Sequence, residues 1–236
     1  MGCLFKILRW VVGLFLGSTI LVVVLYKFMP VVFTPLMFIR GVENITDGKS
    51  PFWHHTWVSL DKMSRYMPVA VIASEDQRFM SHHGFDFKAI EEAAQYNKKH
   101  QLADGSHTKV RGASTITQQT AKNVFLWPGS SVASRWVRKG FESYFTVLIE
   151  LIWGKERIME VYLNSIEMGD GIYGVQAVAE QNFDCDASDL TRSQCALVAA
   201  TLPNPRVYSS KSPSNYMYRR QRAIQMQMKY IPLFEP

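Results

Sequence analysis

Cysteine is scarce in this sequence. Only three occur in 236 residues, too few for a disulfide-stabilised scaffold. Cys3 precedes a long apolar run, whereas Cys185 and Cys195 lie in the C-terminal third and could pair only in an oxidising compartment. The alternative for Cys195 is a buried apolar side chain, because the surrounding stretch DLTRSQCALVAATL has the composition of a helix.

Alternation of apolar and polar residues, the mark of half-buried strands, is almost absent. The sequence also lacks internal repeats, low-complexity blocks and the spaced histidine and cysteine motifs of zinc sites. His82 and His83 are adjacent, so a helix would point them away from a shared metal ion. These absences, together with 47% hydrophobic residues, predict a folded, mainly α protein without a zinc site.

Residues 10–26 carry no charge, and an apolar helix of about 17–25 residues can cross a membrane. We predict a transmembrane helix at residues 10–28. The alternative, a cleaved signal peptide, requires a shorter apolar core and a small-residue cleavage site, which the bulky stretch VVVLYKFMPVVF does not offer. Lys6 and Arg9 precede the run, which favours a cytoplasmic N-terminus at residues 1–9 and an extracytoplasmic location for the rest of the chain.

The net charge is +6, with a sequence pI near 9.2. Basic domains commonly bind nucleic acid. On a membrane-tethered domain that faces outward, however, anionic lipid headgroups or a phosphate-bearing substrate are better partners. We therefore expect contacts with the bilayer and with a phosphate-bearing ligand, and no nucleic-acid partner.

After the predicted span, we expect a connector at residues 29–56 and a helical domain at residues 57–236. Asp86 and Thr115 stand at N-cap positions, and Gln118 has capping-box spacing from Thr115. The predicted helices of this domain cover residues 68–74, 87–99, 116–123, 134–151, 155–165, 174–182, 190–202 and 214–229.

An acid pair, Glu75 and Asp76, ends the apolar stretch VAVIAS. One interpretation is a solvated helix end. The other is that apolar neighbours, including Phe79 one helical turn later, make Glu75 more basic than a free carboxylate, as a general base near neutral pH requires. Asp76 would project about 100° away on the same helix and need not share that role. His83, beside Gly84, is more consistent with a polar group that supports a turn.

The stretch RGASTITQQTAKN, residues 111–123, brings a glycine, hydroxyls, amides and a lysine into one helix start. Ordinary helix caps would account for part of this composition. So dense a set of donors also suits an oxygen-rich ligand, a sugar or a phosphate, with Lys122 supplying charge to phosphate.

The predicted helix at residues 134–151 has the clearest pattern. Its apolar residues recur on one helical face, and its charged residues fall on the opposite face. The apolar set is Val137, Phe141, Tyr144, Phe145 and Leu148, and the charged set is Arg135, Arg138, Lys139 and Glu142. Such a charged face is usually only solvated, but three cations against one acid would also suit a bound anion such as a pyrophosphate.

Together these segments resemble the family 51 peptidoglycan glycosyltransferases, and among them the monofunctional biosynthetic transglycosylases. Four family motifs follow the predicted anchor in family order, within residues 57–208. The first, ED-x-x-F-x-x-H-x-G, is matched by Glu75, Asp76, Phe79, His82 and Gly84. The second, G-x-S-T-I-x-Q-Q-x-x-K-N, is matched by Gly112, Ser114, Thr115, Gln118, Gln119, Lys122 and Asn123. The third, R-K-x-x-E, is matched by Arg138, Lys139 and Glu142, and the block K-x-x-I-x-E-x-Y-L-N by Lys155, Ile158, Glu160, Tyr162, Leu163 and Asn164.

The resemblance implies a lysozyme-like helical head lobe with a small membrane-associated jaw lobe. It implies that the growing lipid-linked strand is transferred to the 4-hydroxyl of lipid II, with inversion and release of undecaprenyl pyrophosphate. Glu75 matches the general base, and Lys122 with the basic helix matches the groups that hold the pyrophosphate. Glu142 matches a second essential carboxylate, which either orients the cations or helps to hold Mg²⁺ or Mn²⁺; no organic cofactor is expected. The other matched residues of the first three motifs are candidate substrate contacts, with Arg135 as a further candidate for the pyrophosphate.

The resemblance also places the protein in a bacterial inner membrane, where the nascent glycan strand and cell-wall synthesis or division proteins are its expected partners.

Two segments depart from the family pattern. The stretch between Asn123 and Arg138 is longer than expected, and Asn182 and Asp184 stand where tyrosine and glycine are usual. The stretches SLDK at residues 59–62 and SHTK at residues 106–109 fit S-x-x-K, but the sequence has no K-T-G or K-S-G triplet, so no penicillin-binding activity is expected. A lytic, glycan-cleaving enzyme and a non-catalytic scaffold are the alternatives.

Overall fold

The computed structural model describes residues 2–48, 50–101, 111–129 and 131–234. Ten α-helices and three very short strands form within these ranges, which confirms the predicted, mainly α class. The helices are α1 (Gly2–Phe28), α2 (Pro35–Thr46), α3 (Tyr66–Glu75), α4 (Phe87–Lys99), α5 (Ile116–Phe125), α6 (Val132–Ile152), α7 (Lys155–Ser165), α8 (Val175–Phe183), α9 (Arg192–Ala199) and α10 (Asn215–Gln227). The strands are β1 (His54–His55), β2 (Glu167–Gly169) and β3 (Ile172–Tyr173).

Helix α3 lies at the centre of the fold. All its residues from Met67 to Ala73 are buried, so it has no solvated face, as expected for a helix enclosed by others. Helix α9, whose residues from Cys195 to Ala199 are equally buried, packs against it, and α10 covers both helices. Cys185 and Cys195 are free thiols, and Cys195 is fully buried, the alternative that the sequence favours.

Helix α1 is apolar and largely exposed. Its segment Phe5–Phe28 has a mean hydropathy of 2.2 and is long enough to cross a membrane, so the predicted span at residues 10–28 lies within a longer helix. The C-terminal part of α1 is bonded to the rest of the protein. The indole Nε1 of Trp153 donates to the carbonyl of Val23 at 2.8 Å, and Arg157 donates to the carbonyls of Tyr26 and Met29.

Helix α2 lies inside the stretch predicted as a connector. Its start follows ordinary rules: Thr34 is the N-cap, its hydroxyl accepts from the backbone N–H of Met37, and Pro35 occupies the first turn. Met37 and Gly41 are buried, because α2 packs against the body of the protein. The sequence did not predict this helix because its Gly- and Asp-containing end resembles a loop.

Helix α6 corrects the predicted division into one apolar and one charged face. Its buried residues are Glu142, Phe145, Thr146 and Ile149. Val137 is 55% exposed, whereas Phe141 and Tyr144 pack around Phe15 of α1, with ring centroids 5.8 and 5.7 Å away. The helix therefore has two contact faces, one on the body of the protein and one on α1, and Glu142 lies on the first.

The three strands form a small sheet in the order β1-β3-β2, with β1 parallel and β2 antiparallel to β3. Strands of two or three residues are too short to show an alternating pattern, so the sequence does not predict them. After the sheet, α8 ends, and its C-cap residue Asp184 has a left-handed backbone with φ 52°. Glycine adopts this conformation most easily, which explains why the family resemblance leads us to expect glycine at this position.

Gly84 allows a close approach between the end of the first motif and α6. Its φ is +88°, and a Cβ at this position would lie 2.8 Å from Cγ2 of Thr146. We expect Gly84→Ala to lower the free energy of unfolding by about 1–3 kcal/mol, measured by denaturation of the detergent-solubilised protein. Gly112→Ala is the control, because a Cβ there meets no atom within 4 Å; equal stability losses in the two variants would contradict the argument.

Candidate functional site

The acid pair of the first motif lies where α3 ends. Glu75 is the last helical residue, and Asp76 follows with a non-helical backbone, φ −157° and ψ 76°. The expectation that Glu75 and Phe79 share one helical face is therefore wrong, because the helix does not continue to Phe79. Phe79 is instead fully buried. The change of direction sends the two carboxylates into different surroundings.

Glu75 is held by polar groups on both carboxylate oxygens. Its Oε1 accepts from the hydroxyl of Ser74 at 3.0 Å, and its Oε2 accepts from Nε2 of Gln119 at 3.1 Å. Nη2 of Arg220 lies 3.7 Å from Oε1. The side chain is only 15% exposed, so Glu75 is a largely buried carboxylate with a defined orientation and a polar rather than purely apolar environment.

Asp76 has a structural position. Its carboxylate accepts from Nε2 of His82, at 2.9 and 3.0 Å to the two oxygens, and from the backbone N–H of Ile116 at 3.0 Å. A carboxylate at the start of α5 also compensates the partial positive charge of that helix end. Asp76, which is buried, thus joins His82 of the first motif to the start of α5 in the second motif. Their direct contact with a substrate stays a prediction.

The second motif forms the start of α5. Thr115 and Gln118 make the predicted capping box, and the Thr115 hydroxyl also donates to the carbonyl of Gly84 at 2.6 Å. These bonds fix α5 against the end of the first motif. Gly112 and Ser114 precede the helix and are exposed, so they are available to a ligand, whereas Thr115 and Gln118 are buried.

A cleft of about 330 Å³ opens beside the later part of α5. Four predicted residues line it, namely Gln119, Lys122, Asn123 and Arg138. The remaining lining residues are Leu36, Arg40, Leu126, Trp127, Pro128, Gly129, Ile166, Glu167, Leu202, Pro203 and Pro205. Gln119 connects the cleft to Glu75, because it lines the first and donates to the second.

Lys122 is a partly buried cation of the cleft. Burial lowers the pKa of its ammonium group below the ordinary value, and the positive charges of Arg138 and Lys139 lower it further. The carboxylates of Glu142 and Glu75 act in the opposite direction and favour the charged form. The site therefore carries a cation that an additional negative charge would stabilise.

The third motif places Glu142 among the cations. Its buried carboxylate bonds Nζ of Lys139 at 2.5 Å and lies 3.9 Å from Nη1 of Arg138. Nε of Arg138 is buried and has no hydrogen-bond partner among the described residues. Arg135, in the first turn of α6, is exposed and does not line the cleft. The predicted cation cluster is thus assembled around Lys122, Arg138 and Lys139.

Three site residues are absent from the sequence-based prediction. Arg40 of α2 and Glu167 of β2 line the cleft, and Arg220 of α10 lies beside Glu75. Burial raises the pKa of Glu167 above its ordinary value. Local sequence contains little signal for them, because the position of each of their segments depends on tertiary packing.

A metal ion at the cleft would require a group of ligand side chains. Within the ranges that the structure describes, no set of three or more histidine, cysteine, aspartate or glutamate side chains is placed to hold a metal ion. Glu142 already bonds Lys139, and Asp76 bonds His82 and the start of α5. These residues therefore do not fit a divalent ion held by the protein alone.

The sequence is similar to known proteins over nearly its whole length. The transglycosylase family matches residues 46–229. A biosynthetic peptidoglycan transglycosylase of Bacteroides thetaiotaomicron is 58% identical over 234 residues, which is 98% of this chain and 90% of the relative. Proteins of the same name from Bdellovibrio bacteriovorus and Xanthomonas campestris are 50% and 46% identical, over 92% and 95% of this chain and 83% and 88% of theirs.

The motifs that the structure assembles lie inside the matched residues. Glu75, Lys122 and Glu142 all fall between residues 46 and 229, as do the helices that position them. A family match over most of the chain and relatives at these identities leave one conclusion: the chain belongs to the transglycosylase family.

Proposed function

We propose that this chain is a peptidoglycan glycosyltransferase that polymerises glycan strands in cell-wall synthesis. The growing lipid-linked strand would be the donor and lipid II the acceptor, with inversion at the donor carbon and release of undecaprenyl pyrophosphate. The relatives are named biosynthetic peptidoglycan transglycosylases. The observation that carries the proposal is a buried carboxylate, Glu75, joined through Gln119 to a cleft lined by Lys122 and Arg138.

In this proposal Glu75 and the cations of the cleft have different roles in the reaction. Glu75 accepts the proton of the acceptor 4-hydroxyl as the oxygen attacks the donor carbon. Lys122 and Arg138 stabilise the negative charge that develops on the departing diphosphate, and the free Nε–H of Arg138 offers one more donor. Glu142 orients the cations. A contribution from Mg²⁺ or Mn²⁺ would then come with the substrate's diphosphate rather than from a protein site.

The proposal extends to location. Helix α1 would anchor the protein in a bacterial inner membrane, and Lys6 and Arg9, which precede its uncharged residues 10–26, favour a cytoplasmic N-terminus. The catalytic domain would then face the outer side, where lipid II and the nascent strand meet it. Reactivity of single engineered cysteines near residues 2 and 60 towards an impermeant thiol reagent in intact spheroplasts tests this orientation.

Purified full-length protein with labelled lipid II tests the function directly. Polymeric glycan from lipid II supports the proposal. Soluble fragments released from finished sacculi, without consumption of lipid II, would instead identify the lytic alternative. Neither product would be expected from a scaffold, so the same two substrates separate the three functions.

The lowered pKa of Lys122 predicts proton uptake when an anion enters the cleft. An anionic ligand favours the charged ammonium and raises its pKa, so the complex holds more protons than the free protein at alkaline pH. Affinity for a moenomycin-type phosphoglycolipid should therefore fall as pH rises through the alkaline range. Calorimetric titration in buffers of different ionisation enthalpy measures the protons taken up.

Lys122→Arg is the matched variant for this experiment, because arginine does not titrate in the accessible range. Its binding should show a weaker pH dependence than that of the wild-type protein. A wild-type affinity that stays constant with pH, with no proton uptake, would contradict the assignment of Lys122 to the anion site.

A further inference from the structure

Arg220 reaches the proposed general base from the last helix of the fold. Its Nη2 lies 3.7 Å from Oε1 of Glu75 and donates to the hydroxyl of Ser74 at 3.2 Å. The same hydroxyl donates to Oε1 of Glu75 at 3.0 Å. Ser74 thus lies between the guanidinium and the carboxylate, so the cation acts on Glu75 both through space and through a shared hydrogen-bond partner.

The opposite oxygen of Glu75 is held by the second motif. Gln119 donates to Oε2 at 3.1 Å, and its own amide oxygen accepts from the hydroxyl of Tyr162 at 3.2 Å. Tyr162 is fully buried, so this side of the network is fixed by the core. One carboxylate oxygen is therefore oriented by α5 and α7, and the other by Ser74 and α10.

Helix α10 is fixed firmly enough to position a side chain. Met217, Gln221 and Ile224 form its buried face, and Nε2 of Gln221 donates to the carbonyl and hydroxyl of Ser193, at 2.8 and 2.9 Å. Arg220, 28% exposed, lies at the edge of this face. The neighbouring Arg222 is exposed and bonds only the carbonyl of its own helix at Tyr218 among the described residues.

The guanidinium of Arg220 makes few other bonds. Among the described residues, Glu75 is the one carboxylate within 4 Å of it, and its buried Nε has no hydrogen-bond partner. An arginine guanidinium has five N–H donors and can bond several acceptors at once. Here the charge is directed at the single carboxylate that the reaction needs in its ionised form.

We propose that Arg220 is a positioning residue for Glu75, which it holds in one orientation and whose negative charge it faces. This inference rests on the proposed role of Glu75 as general base. A nearby cation favours the ionised form of a carboxylate, which is the form that can accept a proton. Arg220 itself need not contact the substrate.

Steady-state polymerisation of lipid II by full-length variants, measured across pH, tests the inference. In Arg220→Gln the cation is lost, so the acid limb of the kcat profile should move to higher pH by about one unit. At neutral pH kcat should fall about tenfold with little change in KM, because the base is misoriented rather than the substrate unbound. Arg220→Lys restores the charge and should return the acid limb towards its wild-type position.

Arg222→Gln is the matched control on the same helix and should leave the profile unchanged. An Arg220→Gln enzyme with the acid limb and kcat of the wild type would overturn the inference. A loss of activity would also overturn it if Arg220→Lys did not restore activity and the acid limb stayed at its wild-type pH. Should Arg220→Gln not fold, Ser74→Ala keeps the charge but removes the bridging hydroxyl. It should lower kcat severalfold without moving the limb, and an unchanged kcat would count against the bridge.

The two proposals fail in different ways. If Glu75→Gln polymerises normally, the role of Glu75 is wrong whatever Arg220 does. If Glu75→Gln is inactive while Arg220→Gln behaves as the wild type, the proposed function stands and only the positioning role of Arg220 is lost.

Discussion

Glu75→Gln should reduce polymerisation of lipid II by about two to four orders of magnitude, the usual contribution of a positioned general base. Glutamine has nearly the same shape and can still accept from the Ser74 hydroxyl that bonds the wild-type carboxylate, so the fold should persist. It cannot remove a proton from the acceptor hydroxyl. Glycan product formed per unit time, from protein whose thermal unfolding matches the wild type, measures the effect.

Glu156→Gln is the matched control for this substitution. Glu156 lies on α7, is exposed, and is remote from the acid pair in sequence. Its variant should polymerise at the wild-type rate. Normal polymerisation by Glu75→Gln would contradict the catalytic assignment and leave the scaffold alternative in place.

Lys122→Met should lower kcat by about 100- to 1000-fold, which corresponds to about 3–4 kcal/mol of lost transition-state stabilisation. Methionine keeps the length and the apolar stem but removes the charge that faces the departing diphosphate. Because the cation is partly buried and burial lowers its pKa, its removal should cost little stability, and the midpoint of unfolding should stay equal or rise. Parallel measurement of kcat and thermal unfolding separates the two effects.

Lys229→Met removes an exposed lysine after α10 and serves as the control. Its kcat should not change. A Lys122→Met enzyme within a few-fold of the wild-type kcat would show that the developing charge is stabilised elsewhere, for example by Arg138 and Lys139 alone.

Local signals predicted the helices well, because caps and periodicity act over a few residues. Asp86 caps α4, and Thr115 with Gln118 forms the expected capping box. Helix α7 begins and ends where the sequence indicates, at Lys155 and Ser165. The family resemblance also groups Gln119, Lys122 and Arg138, which line one cleft although α5 and α6 are separate helices.

Features that depend on distant contacts were not predictable in this way. Glu142 is buried because its side of α6 packs on α5. The periodicity of the sequence alone does not distinguish such a buried carboxylate from one on a solvated charged face. The end of α3 at Glu75 results from the bonds that Asp76 makes with His82 and α5. Arg220 is one of several arginines on α10, and only the packing of α10 on α3 selects it.

The bonds from Trp153 and Arg157 to the end of α1 have a mechanical consequence. A domain joined to its membrane anchor by a flexible linker could rotate and change its distance from the lipid surface. If α1 is the membrane anchor, as proposed, these bonds fix its end to the catalytic domain, so the cleft should keep one height and one tilt relative to the membrane. Lipid-borne reactants, which diffuse in two dimensions with their headgroups at constant depth, would then meet the cleft already level with it.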